Sequence, residues 1–594
     1  MSEIVLRREI ACSMSPSALF AVLADTDKLY RALGQVEIAR EPLLGEGAAR
    51  FLLRARVGAR SIPFAELPAQ WNQPTLLVTK RVLHQGVLTS LTTRFTLTPQ
   101  LQGTQLLVEL QVEPRQTQLA WLVKFFAIGT LWHLCRTIRR FDEGVTRGQK
   151  PQLRPAKLLA EPLKEAQQKT KAELSAEDQP SVDALLNSLR GCDDLEVDAL
   201  RLPQLSETLQ QTEEKTLKLL LVACAHGLLQ PSYGVLCPSC RSSVTQQDSL
   251  RELSDEAFCT FCEIRIPVEL AQNVEVTFRP AQALRALPRP LYSSFNPAKT
   301  PHVIAQVVLP GATKLAVPVP NEPGEFRLWA RGGAAATLKV STLGPPHASV
   351  VIGDSIVPPS VEVGMGGTLE LDHQTGQARH FKIERMEHIQ PGLTAHKFTL
   401  HPLFRRLFPE DFPSANIQFP VPLVTFVRSR FAMVGELCAA LGDGGAFRLL
   451  SDCQQAIRNA LEEQGGAVLC VEPEGLSFAF PDQAQALSAA ILAKRAAQHF
   501  RADNPFAHLL SLKMSLCTGP STLVRLEDRL DYFGQTVATW DRMLVEAHPG
   551  DVVLPAECLK EVSAHEKSKA GPIFSLVGKG LPAAISVFRL NLEP

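Results

Sequence analysis

The chain has 594 residues, with 61 basic against 61 acidic side chains, 13 cysteines and 45% hydrophobic residues. A chain of this length exceeds what one core supports and implies several domains. Balanced charge excludes a global electrostatic pull toward nucleic acid or an anionic surface, so partners have to be read from local sites and no nucleic acid is expected.

The first segment, "MSEIVLRREIACS", has no apolar targeting core behind its basic residues, and so many cysteines fit a reducing, cytoplasmic compartment. A strand (IVLRREIACS) precedes a helix (SPSALFAVLADTDKLYRALG) in which Ser15 is the N-cap, Pro16 takes the first helical position and Gly34 is the stop. Several strands and a long helix from about Gln116 to Glu143 follow. Within that helix, "LAWLVKFFAIGTLWHLC" is short for a bilayer span and carries Lys124, so a buried amphipathic helix is expected and no membrane span. This layout, with "SMSPSALFAVLADTDKLYRALG", resembles the START-like, polyketide-cyclase-like helix-grip domain over residues 1–147. The resemblance implies a curved sheet wrapping the C-terminal helix and room for an apolar small molecule between them; a filled core is the alternative.

Residues 148–215 are rich in Lys, Glu, Gln and Pro, the composition of a helical linker with disordered parts. Over 216–280 a helix (TLKLLLVACAHGLL) leads to Cys237 and Cys240 in "CPSC" and Cys259 and Cys262 in "CTFC". Two Cys-x-x-Cys pairs at this separation have the spacing of a four-thiolate zinc ribbon; four protein ligands leave no open position, so Zn²⁺ here is structural. Residues 281–400 alternate short β-rich runs with Gly and Pro turns, which predicts a β-sandwich or barrel without catalytic groups.

From 420 to 590 strands and helices alternate as an α/β unit. In order, "VTFVRSRF", "LGDGGAFRLL", "GGAVLCVEPEGLSFAF", "MSLCTG" and "LDYFGQTVATWDRMLVEAHPGDVVL" resemble the class III adenylate/guanylate cyclase domain, and "LHPLFRRLFPEDF" resembles the lead-in of certain bacterial members. The resemblance implies a ferredoxin-like α/β fold, an active site across a homodimer or heterodimer interface, ATP as ligand, and two Mg²⁺ or Mn²⁺ ions held by paired aspartates. Carried onto this chain, it puts Arg430 at the first metal-ligand position, a fixed cation that repels a divalent ion. Cys470 stands at the base-reading lysine, and Glu474 stands at the second metal aspartate, with Glu472 and Pro473 beside it. The base-reading aspartate is kept as Asp531, the turn glycine as Gly534 and the arginine as Arg542, while Ala538 replaces the asparagine. Trp540 and Asp541 stand where small residues are usual, and Trp540 either fills part of the nucleotide pocket or faces the core. The whole is expected to be a multidomain α+β signalling protein with a degenerate cyclase domain that dimerises or senses nucleotide. An active adenylate cyclase using Glu474 with Glu436 or Asp443, and a sensor of an apolar ligand, are the alternatives.

Overall fold

The computed structural model describes residues 3–35, 38–42, 51–57, 60–146, 158–192, 194–239, 241–260, 262, 264–287, 296–386, 392–414, 416–504, 506–527, 529–577 and 584–591. Its architecture is mixed α+β, built on several sheets.

The N-terminal unit comprises β1 (Ile4–Cys12), α1 (Pro16–Ala24), α2 (Thr26–Ala32), β2 (Ile38–Pro42), β3 (Phe51–Val57), β4 (Arg60–Asn72), β5 (Leu76–Leu83), β6 (Leu88–Pro99), β7 (Thr104–Pro114) and α3 (Ala120–Thr146). The strands pair antiparallel in the order β1-β7-β6-β5-β4-β3-β2. Helix α3 lays Val123, Ala127, Leu131, Leu134, Ile138 and Phe141, a 3.6-residue stripe, on a sheet face that presents Phe95, Leu106, Val108 and Leu110. Ser15 caps α1 as expected, its hydroxyl accepting from Ala18 N at 3.4 Å. The single helix read from the sequence is two helices, because Asp25 leaves helical geometry (φ −78°, ψ 76°) and its carboxylate caps the next one through Lys28 N at 3.2 Å. The expectation of a buried α3 holds for one face only: Trp121, Phe125, Phe126, Ile128 and Trp132 are exposed.

The stretch read as a partly disordered linker is folded where it is described. Helices α4 (Ala160–Glu173), α5 (Gln179–Gly191), α6 (Asp194–Val197), α7 (Leu202–Leu209) and α8 (Glu213–Ala225) bury Val182, Leu185, Leu186, Leu189, Leu205, Leu220 and Leu221 in one core. The leucines recur three and four residues apart, so the polar composition between them is the outer face of amphipathic helices. Strands β8 (Leu229–Leu236), β9 (Ser243–Gln247), β10 (Glu256–Cys259), β11 (Ile264–Pro267) and β12 (Val274–Pro280) follow, as a sheet β12-β8-β9 and a hairpin β10-β11.

Next come β13 (Val303–Leu309), β14 (Thr313–Pro318), β15 (Gly324–Ala330), β16 (Ala335–Ser341), β17 (His347–Ile352), β18 (Ile356–Val357), β19 (Ser360–Gly364), β20 (Thr368–His373) and β21 (Arg379–Arg385). One layer runs β13-β21-β15-β16-β19, the other β14-β20-β17-β18, and Leu328, Leu338, Val350, Leu371 and Ile383 fill the space between: a sandwich rather than a barrel. Strand β13 also pairs with β4 (Ala305↔Asn72, Gln306↔Trp71), which joins this layer to the N-terminal sheet.

The last unit contains α9 (Ala395–Thr399), α10 (Pro402–Leu407), β22 (Phe419–Ala432), α11 (Val434–Glu463), β23 (Ala467–Glu472), β24 (Gly475–Phe480), α12 (Gln483–Asp503), β25 (Ser511–Leu526), β26 (Arg529–Phe533), α13 (Gln535–Val545), β27 (Asp551–Pro555), α14 (Ala564–Lys567), β28 (Phe574–Leu576) and β29 (Ile585–Asn591). The sheet order is β23-β24-β22-β25-β27-β29-β28, with β26 added to β25. Period-two alternation sorts β22 between two cores. Val427 and Phe431 face α11 and α12, whereas Val424 and Phe426 join Trp540 of α13 and Phe398 and Phe404 of the lead-in helices.

Candidate functional site

Arg428 and Arg430 continue the Phe426 side of β22, two and four residues on, and so emerge beside the β23–β24 hairpin. Gly475 pairs with Arg430, and a Cβ there would stand 2.1 Å from the Ser429 carbonyl oxygen; only glycine lets the hairpin lie so close to β22. Phe431 N donates to the Glu474 carbonyl at 2.7 Å, and Gln454 Nε2 to the carbonyls of Glu472 (2.9 Å) and Pro473 (3.1 Å), so the turn is fastened from two sides.

The hairpin carboxylates are occupied. Arg430 Nη2 lies 3.3 Å from Glu474 Oε2, with both side chains about half exposed. Arg428 Nη2 donates to Glu472 Oε1 at 2.8 Å, and Arg428 Nη1 to Asp541 of α13. Its guanidinium also lies over the Trp540 ring, 5.4 Å from the centroid. The sequence reading placed Arg430 here and missed Arg428; the period of two along a strand is the signal that puts both arginines on one face.

A second cluster gathers the expected base-reading positions. Arg529 Nη1 contacts Cys470 Sγ at 3.5 Å and its Nη2 pairs with Asp531 Oδ2 at 3.2 Å. Asp531 Oδ1 accepts from Tyr532 N at 2.8 Å. Tyr532, its hydroxyl pushed up to about 12 by burial, meets His396 Nε2 at 3.2 Å, and Arg405 of α10 donates to the Leu530 carbonyl at 2.8 Å. The lead-in helices therefore back this edge of the domain. Arg529, two residues before Asp531 on the same strand, was also missed.

The remaining expected residues lie on or before α13. Gly534 takes φ 146° at its N-cap, Ala538 is exposed on the following turn, and Arg542 pairs with Glu546 on its own helix at 3.3 Å. Trp540 is 4% exposed, stacks on Phe426 with centroids 5.2 Å apart and donates from Nε1 to the Ser515 carbonyl at 3.3 Å. It is a core residue, which decides between the two roles read for it. Glu436 and Asp443 stand on α11, which packs on the opposite face of the sheet from Arg428.

In the other candidate centre, Cys237, Cys259 and Cys262 are buried and bring their sulfurs within 4.8 Å of one another. Cys240 lies outside the described residues. The Cys237 and Cys262 sulfurs are 3.8 Å apart, the edge of a tetrahedron of thiolates about 2.3 Å from a central ion. Arg241 donates N–H to the Cys237 carbonyl at 2.6 Å with φ 57°, a tight knuckle. The cluster can hold a metal ion. It packs on Trp329 of β15, and Arg327 reaches from the same strand to the Ser239 carbonyl at 2.5 Å while pairing with the buried Glu384.

Residues 163–289 match the model of a family of unknown function, DUF5939. No curated protein matches the chain. Among solved structures the chain is similar to the guanylyl cyclase Cya2, with 14% identity, 30% of this chain and 94% of that one covered, and a TM-score of 0.26. It is likewise similar to the adenylyl cyclase CyaB from P. aeruginosa (17% identity, 29% and 95% covered, TM-score 0.24). A third is the guanylate cyclase domain of RhGC from Catenaria anguillulae in complex with GTP (15%, 29% and 97%, TM-score 0.25). These neighbours are adenylyl and guanylyl cyclase domains, and they match about 30% of the chain.

Proposed function

We propose that residues 420–590 are a class III cyclase-like domain of ferredoxin-like type that has lost turnover and serves a cytoplasmic signalling protein as a dimerising or nucleotide-sensing part. The observation that carries the reading is the pairing of Arg428 with Glu472 and Asp541 and of Arg430 with Glu474. A divalent ion needs unpaired carboxylate oxygens, and here two permanent cations hold the acids nearest the hairpin. Cys470 and Ala538 remove two further groups that the family uses, and one lost transition-state donor alone costs about 10²–10³ in rate. Asp531, Gly534 and Arg542 remain to engage an adenine nucleotide without converting it.

In this reading Cys237, Cys240, Cys259 and Cys262 hold a structural Zn²⁺ that locks the segment 229–267 onto the β-sandwich, and residues 1–147 are a START-like helix-grip domain. The test is mass-spectrometric detection of cyclic AMP and cyclic GMP after incubation of the purified chain with ATP or GTP and Mn²⁺. No product beside an active cyclase control is expected; product at a rate near the control would overturn the proposal. Turnover should return only when Arg430→Asp, Cys470→Lys and Ala538→Asn are combined with removal of the Arg428 charge.

A further inference from the structure

Helix α3 is amphipathic twice over, across its axis and along it. Across the axis, one stripe carries the core of the N-terminal unit, with Leu134, Ile138 and Phe141 at most 6% exposed. The opposite stripe runs Trp121, Phe125, Ile128, Trp132, Arg136, Arg139 at steps of four, three, four, four and three. Trp121 and Phe125 are each 71% exposed, and Phe126 beside them is 62% exposed. Two of the five tryptophans of the chain therefore stand in solvent on one helix. Along the axis, this apolar half gives way to a basic one. Between Thr117 and Phe141 the chain carries Lys124, Arg136, Arg139 and Arg140 and no carboxylate. Asp142, the first acid, is buried and accepts from Ser13 N and Met14 N at 2.9 Å each, and Glu143 follows it at the exposed end.

We propose that this face of α3 is a docking surface for an anionic phospholipid membrane, on which the helix lies flat. Tryptophan and phenylalanine on one face with arginine and lysine around them is the chemistry of an interfacial helix: rings enter the headgroup boundary while cations meet lipid phosphates. Charge complementarity selects lipid over a second copy of this face, which would bring the same unbalanced cations toward each other. The segment Thr117–Val145 is long and apolar enough to cross a membrane, but crossing would strip Leu134, Ile138 and Phe141 from the sheet and dismantle the core. The helix thus lies on the membrane and does not span it. Arg136 stacks over the Trp132 ring, 5.2 Å from its centroid, at the seam between the apolar and basic halves.

The experiment uses the full chain with extruded vesicles of phosphatidylcholine alone or with about one-third phosphatidylglycerol, the anionic component that a surface potential requires. Co-sedimentation with the anionic vesicles, weaker with neutral ones and weakened by salt, is expected. The variant Trp121→Ser/Phe125→Ser/Trp132→Ser should lower the partition coefficient about tenfold or more, and Arg136→Gln/Arg139→Gln should lower it for anionic vesicles alone. All these side chains are exposed, so the variants should keep the parent's circular dichroism and unfolding temperature. Equal sedimentation of parent and variants, or a parent that ignores both vesicle types, would overturn the proposal. So would a parent that dimerises in analytical ultracentrifugation through this face, loses the dimer in the triple serine variant and binds no vesicles.

Discussion

Arg428 Nη2 donates to Glu472 Oε1 at 2.8 Å, tying the strand face that carries Phe426 and Arg430 to the β23–β24 hairpin. The pair is partly buried, its side chains 22% and 38% exposed, so solvent screens it less than a surface ion pair. Arg430 Nη2 lies 3.3 Å from Glu474 Oε2 as well, and closure of the hairpin to a dication by these pairs is what the proposed function requires.

Mn²⁺ binding tests that closure directly. Electron paramagnetic resonance of the parent with Mn²⁺ should show only the signal of the free hexaaquo ion. Arg428→Ala/Arg430→Ala frees Glu472, Glu474 and Asp541 and should introduce binding, in the millimolar range expected of a few unpositioned carboxylates. Strong binding in the parent would contradict the pairing as the dominant state.

The cysteine cluster makes a separate prediction. Elemental analysis of the purified chain should give one zinc per molecule, and Cys237→Ser or Cys259→Ser should release it. Because Trp329 and Arg327 of the sandwich rest on the knuckles, metal loss should lower the unfolding temperature of the sandwich as well. A zinc-free chain with unchanged stability would leave the thiols as ordinary core residues.

The sequence made some of this legible and hid the rest for physical reasons. Ser15, Pro16 and Gly34 mark helix ends because capping is local chemistry, and the Cys-x-x-Cys pairs stand out because a knuckle's two thiols lie three residues apart in the chain. The segment from Ala160 to Leu209 looked like a linker because its helices are short and mostly polar; their few leucines matter only once they meet Leu220 and Phe278 in a shared core. Arg529 was invisible for a related reason. Its contact with Cys470 spans 59 positions and depends on β26 lying against β25. Asp25 was read through, since one break inside a helical pattern changes no periodicity.

Packing at the hairpin and at α13 predicts two different kinds of damage. Gly475→Ala pushes a Cβ into the Ser429 carbonyl and should cost about 2 kcal/mol or more, with the β22–β24 register disturbed. Trp540→Ala empties the space beside Phe426 and should cost about 3–5 kcal/mol, with no gain in nucleotide affinity, since the ring fills core. Urea unfolding gives both costs, and titration with ATP before and after Trp540→Ala checks the affinity. An affinity gain on losing the ring would return Trp540 to the nucleotide pocket.

Two histidines on the lead-in segment predict the acid sensitivity of its docking. Burial, and then the nearby Arg405 charge, lower His396 to about 4, and burial lowers His401 to about 4. Both are neutral at pH 7, and His401 uses that state: its Nδ1 accepts from Leu403 N at 3.2 Å and caps α10. In the unfolded chain each titrates near about 6.5, so between the two values the unfolded form binds more protons. Their contribution is complete above pH 6.5 and falls as the pH drops toward 4, by about 3 kcal/mol per histidine across that window. The urea midpoint followed by tryptophan fluorescence should decline accordingly. His401→Asn, whose amide oxygen caps at any pH, should make the decline shallower, and His396→Gln should do the same at Tyr532. A midpoint that is flat from pH 7 to 4.5 in the parent would show that the segment's docking does not depend on keeping these rings neutral.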